Sequence, residues 1–243
     1  METTTDTQQS RTSNRDVASA AKAVLLAIGG AMMLADIALI FLWVPTEQVM
    51  GVAQRIFYFH VPLAWTGLLS TTVVFVSSIV YLWKGQRRWD AVAHSAVELS
   101  VMLITLTLIT GATWAKMAWG VWWTWEPRLT TTLILWLMYM GYLMLRAYAP
   151  TPSLAARYSA VMGIIAFVDV PIVYFSVDLW RGIHPRVVGV GATSGSLDSD
   201  MLIALIFSVF TFTVLFTYVL WERVSLRNAE DAVQGMHITE RTA

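Results

Sequence analysis

The chain has 243 residues, 57% of them hydrophobic and only 13% charged, with 16 basic side chains balanced by 16 acidic ones. At a mean hydropathy of +0.61, this composition excludes an ordinary soluble domain, and the lack of a basic excess excludes a nucleic-acid surface. The absence of cysteine excludes disulfides, thiolate metal sites and thioether attachment of a cofactor.

Residues 1–22 are rich in Thr, Ser, Gln and Asp, the composition of a disordered, solvated tail. The apolar run 23–44 is longer than a signal-peptide core and no small-residue cleavage pattern follows it, so a retained first span is expected. Runs 61–83, 95–115, 129–145, 159–179 and 201–221 approach or exceed the roughly 20 residues that cross a bilayer. These runs give an all-α integral membrane protein, a bundle of six transmembrane helices spanning residues 23–221, with a polar tail at 222–243. The fourth run is the shortest, so its helix is expected to begin inside the aromatic segment that precedes it or to sit tilted and shallow.

Basic residues collect on the cytoplasmic side of membrane proteins. With six spans, Arg11, Arg15, Lys22, Lys84, Arg87, Arg88, Arg146, Arg157, Arg223, Arg227 and Arg241 share one side, against Arg55, Lys116, Arg128, Arg181 and Arg186 on the other. Both termini are therefore expected in the cytoplasm. Loops 45–60, 118–128 and 180–200 then face outward. Two carboxylates, Asp36 and Asp169, fall inside apolar runs, where an ionisable group is costly and marks either function or a buried pair.

The segment WGVWWTWEPRLT, residues 119–130, carries Trp119, Trp122, Trp123 and Trp125, followed directly by Glu126 and Arg128. Single tryptophans at span ends are ordinary interfacial anchors; four within seven residues offer a broad aromatic surface. His60, in RIFYFHVPLAW, stands just before the second run, with Pro62 expected in the first helical turn. His184, in DLWRGIHPR, stands just after the fifth. His94 and His237 fall on the inner side and are expected to be solvated surface groups. Two outer histidines, an aromatic shelf and outer arginines form a chemically consistent set for haem. Imidazole nitrogen is an axial ligand for its iron, and arginine matches its propionate carboxylates. Arg55, Arg128 and Arg181 are the candidate propionate partners. Arg181 would lie one turn from His184 if the helix persists that far.

The tryptophan segment resembles the "WWD" signature of the CcmC, CcmF and CcsA haem-handling family of cytochrome c maturation, and the length is similar to its CcmC branch. RIFYFHVPLAW and VPIVYFSVDLW, with His184 beyond, resemble the family's two periplasmic histidine segments, and TGATWAKMAWG its run into the tryptophan loop. The resemblance implies a haem exporter or haem-presenting protein of the bacterial inner membrane, not an enzyme. It places the axial-ligand role on His60 and His184 and the platform under the macrocycle on the four tryptophans. It further implies transient, non-covalent haem b, transfer to the periplasmic haem chaperone CcmE, and association with CcmD and the transporter pair CcmA and CcmB. Where the signature has Asp this chain has Glu126, with Pro127 after it. From the residues alone, a membrane b-type cytochrome and a small-solute transporter remain alternatives. The first would place its histidines inside the helices, and the second would show internal repeats.

Overall fold

The structure is a computed structural model and describes residues 2–185 and 197–242. Among the described residues seven α-helices follow one another: α1 Glu2–Ala38, α2 Phe57–Lys84, α3 Arg87–Trp119, α4 Pro127–Tyr148, α5 Pro152–Phe167, α6 Asp169–Trp180 and α7 Ser199–Thr242. No strand occurs among the described residues. A π-helical turn, Leu39–Trp43, prolongs α1, and a 3-10 turn, Val52–Ile56, leads into α2. Among the described residues six helical stretches are long and apolar enough to cross a membrane, α5 and α6 together forming the fifth, Pro152–Trp180.

The helices outrun the apolar runs. α1 extends back through residues 2–22, where composition pointed to a disordered tail, and α7 runs on to Thr242. Adding a residue to an existing helix needs no new nucleus, so polar flanks continue what the spans begin. α2 begins at Phe57, which corrects two expectations: His60 stands inside the first turn of the helix rather than before it, and Pro62 falls one turn later. α4 begins at Pro127, within the aromatic segment but after all four tryptophans. The fifth span breaks at Val168, because Pro171 has no N–H for the Phe167 carbonyl and its ring crowds that turn.

α2 packs against α3, α5 and α7, while α4 packs against α3, α5 and α6. α1 packs principally against α7. Asp36 is fully buried there and accepts a hydrogen bond from Ser208 Oγ at 2.7 Å, and Lys22 meets Glu222 at 2.7 Å. The two contacts run α1 and α7 antiparallel, so both chain ends lie at one end of the bundle. Ion pairs gather at that same end. Arg146 bridges Asp90 with two bonds of 2.6 Å, and Glu98 accepts from Arg223 and Arg227, each at 2.6 Å. His94 belongs to this cluster, 3.6 Å from Glu98 and largely buried, which corrects its expected solvation. The opposite end holds a cavity.

Candidate functional site

Four helices and the segments before α2 and between α6 and α7 surround a cavity of about 580 Å3, within the range of pockets that bury a small molecule. Its α2 wall runs from Phe57 through His60, Val61 and Ala64 to Leu68, about three helical turns or ~16 Å of helix. α3 contributes Ile104, Thr107, Leu108, Gly111 and Trp114 at helical spacing; Leu135 and Val173 close the inner end from α4 and α6. The space is thus a well reaching into the apolar bundle. Polar groups are concentrated toward its mouth: Glu47, Gln54, Arg128, Asp178 and His184.

His60 is held by α3. Its Nδ1 lies 2.9 Å from Thr110 Oγ1, and that hydroxyl already donates to the Leu106 carbonyl at 2.8 Å. A hydroxyl has one proton, so Thr110 accepts from Nδ1–H and the Nε2 lone pair is left available. Gly111 makes room for the ring, since a Cβ there would stand 2.9 Å from His60 Cε1.

The loop before α4 begins where α3 stops. Gly120, at φ 77°, takes the left-handed conformation that ends the helix and donates its N–H to the Lys116 carbonyl. Six residues later Glu126 caps α4: its Oε1 accepts from Leu129 N–H at 2.9 Å, with Pro127 in the first helical position. Burial pushes the Glu126 carboxyl up, but the neighbouring His184 ring and the N–H groups of Leu129 and Arg128 outweigh it and hold the group below the usual carboxylate range.

His184 arrives from the other side. α6 ends at Trp180, and Arg181 turns the chain in the left-handed region, φ 51°. That turn removes the helical relation expected between Arg181 and His184. Gly182 follows, where a Cβ would stand 2.9 Å from Glu126 Oε2. His184 Nδ1 comes to 3.5 Å from Glu126 Oε1.

The chain was compared with known proteins. The family model described as Heme exporter protein C matches residues 6–238. The chain belongs to the Heme exporter protein C family. It is 35% identical over 198 residues to a protein of that name from Bradyrhizobium diazoefficiens, covering 82% of this chain and 72% of that one. It is 31% identical over 176 residues to the one from Escherichia coli K12, at 72% and 70% coverage, and 29% identical over 210 residues to the one from Rhodobacter capsulatus, at 84% of each. This family is a membrane transport and haem-delivery component, not an enzyme.

In this member of the Heme exporter protein C family, the cavity gathers His60, His184, Trp119 and Arg128 from the residues singled out in the sequence. Arg128 also donates to the Tyr174 carbonyl at 2.9 Å, tying α4 to α6. Trp122 and Trp125 are 59% and 75% exposed and Trp123 stacks edge-on against Trp125; none of the three lines the cavity. Arg55 lies over the Phe41 ring at 5.4 Å; neither it nor Arg181 lines the cavity. Glu126 stands behind His184 rather than on the cavity wall. Arg186, counted among the outer cations, lies outside the described residues. Sequence reasoning missed Trp114, which packs edge-on against Trp119 at 5.2 Å and whose buried Nε1–H has no hydrogen-bond partner among the described residues. Its five-residue distance from Trp119 was the available signal. Thr110, Gly111 and Gly182 gave no signal in one dimension.

Proposed function

We propose that this protein binds haem b non-covalently in the outer cavity, between His60 and His184, and presents it to the haem chaperone CcmE during c-type cytochrome maturation. The observation that carries the proposal is the convergence of both histidines, His60 from the start of α2 and His184 from the loop after α6, on one apolar well together with Trp119 and Arg128. Haem export is named by the relatives, and haem in this protein is cargo. It supplies an iron with two axial positions and a flat apolar body carrying two carboxylates.

The residues present fit that cargo. His60 and His184 offer nitrogen ligands, while Trp114, Trp119, Leu68 and Leu108 offer apolar and stacking surface. Arg128 is the cation on the wall for a propionate. Arg55 and Arg181 are proposed to meet the second propionate only if it projects from the mouth. With no cysteine in the chain, holding stays reversible, as delivery requires. Exposed Trp122 and Trp125 are proposed to face the receiver or the headgroups, with Trp123 buttressing them. The well opens to the periplasm of a bacterial inner membrane, both termini are cytoplasmic, and CcmD, CcmA and CcmB are the proposed membrane partners.

The test is the visible spectrum of the purified full chain, oxidised and reduced, beside His60→Ala and His184→Ala. A low-spin spectrum in the parent, weakened or converted to high spin in each variant, is expected. A parent that stays colourless after haem addition overturns the proposal.

A further inference from the structure

Glu126 stands in the tryptophan loop as if it were part of the ligand-contacting surface, yet it is only 8% exposed and absent from the cavity wall. What it faces is the back of His184. Nδ1 of that ring is 3.5 Å from Oε1, and among the described residues neither Nδ1 nor Glu126 Oε2 has a hydrogen-bond partner, although both are buried. A cap for α4 needs one acceptor oxygen, and Oε1 provides it to Leu129. The second oxygen, sealed from water against Gly182, has no part in the cap. The absence of a side chain at Gly182 keeps the space in which carboxylate and ring approach each other.

We propose that Glu126 is the positioning residue of His184, accepting its Nδ1–H so that Nε2 is the nitrogen presented to the cavity. The inference rests on the haem-binding reading above. Closing 3.5 Å to the 2.7–3.2 Å of a hydrogen bond takes a small turn of the ring, which engagement of Nε2 would fix. A carboxylate behind an imidazole sets its tautomer and raises its basicity. His60 is backed instead by the neutral hydroxyl of Thr110. The two ligands are therefore unequal: His184 is the stronger donor, held by a charge on a rigid helix start, and His60 is the weaker one.

Glu126→Gln tests this in the full-length, haem-loaded protein. The amide oxygen still caps Leu129 and the volume is kept, so a purely structural role predicts no change. Expected instead are haem dissociation to a scavenger faster by about 10-fold and an upward shift of the haem midpoint potential, because the ligand donates less to ferric iron. Glu126→Asp keeps the charge at shorter reach and is expected to hold a potential nearer the parent's; it also serves if Glu126→Gln fails to accumulate. Parental dissociation rate and potential in Glu126→Gln, with the low-spin spectrum lost in His184→Ala, would overturn the positioning role and leave haem binding intact. An Asp variant whose potential differs from the parent's as much as the Gln variant's would overturn it too. A low-spin spectrum unchanged in His184→Ala would overturn the ligand assignment itself.

Discussion

At the scale of single residues, glycine sets the site as much as histidine does. Gly111 sits in the interior of α3, where alanine is favoured by about 1 kcal/mol on propensity alone, but a methyl there would meet the His60 ring at 2.9 Å. Gly111→Ala is therefore expected to leave thermal stability in detergent equal or higher while weakening haem binding by about 10-fold, the scale of a lost supporting contact. Parallel melting and haem titration would separate the two effects. The histidines and Trp119 were legible in the sequence because their chemistry is conspicuous and the apolar runs fixed which side they occupy. Thr110 and Gly182 were not, since each matters only through what another helix brings against it. Glu126 was legible as a charge beside the tryptophans but not as the cap of α4, since its bond to Leu129 shows only once the helix start is placed. Only the fold turns it toward His184.

At the scale of elements, hydropathy alone located six crossings, and the structure has six. What it could not locate were the ends. Apolar runs end where lipid ends, but helices end where the backbone finds a cap, as at Gly120, Glu126 and Thr151. Close contact between elements was equally hidden. α5 meets α2 at Gly163, where a Cβ would lie 2.9 Å from Val74 Cγ1 and 3.0 Å from Ser78 Oγ. Gly163→Ala is expected to force these helices apart and to lose about 1–3 kcal/mol of stability, the usual range for overpacking. A lower melting temperature in detergent, with the haem spectrum retained in the folded fraction, would show it. Asp36, readable beforehand as either a functional group or a buried pair, forms a pair with Ser208. Asp36→Asn keeps an oxygen for that hydroxyl and is expected to accumulate normally. Asp36→Ala leaves the pairing undone and is expected to cost about 1 kcal/mol, measured as a lower detergent midpoint.

At the scale of the whole molecule, the two ends of the bundle differ in kind. One is laced by ion pairs among α3, α4 and α7, and the other opens into the well. On the distribution of basic residues the laced end is proposed to face the cytoplasm, and the chain's lack of cysteine makes the proposal directly measurable. A single cysteine at Val49, 90% exposed beside the well, is expected to react with a membrane-impermeant maleimide in intact cells; one at exposed Gln86 is expected to react only after the membrane is opened. The reverse pattern would invert the topology. The pairing of α1 with α7 has a consequence for how the protein is made. α1 leaves the ribosome before α7 and carries Asp36 into lipid, and its partner Ser208 lies 172 residues further on. At translation rates of about 5–20 residues per second, the carboxyl waits roughly ten to thirty seconds for its hydroxyl. During that interval the nascent segment is held in the bilayer by its own apolar length, against an insertion penalty of about 2.5–3.5 kcal/mol for the acid. Until synthesis reaches α7, α1 is a guest without its neighbour, and a truncated chain leaves it so.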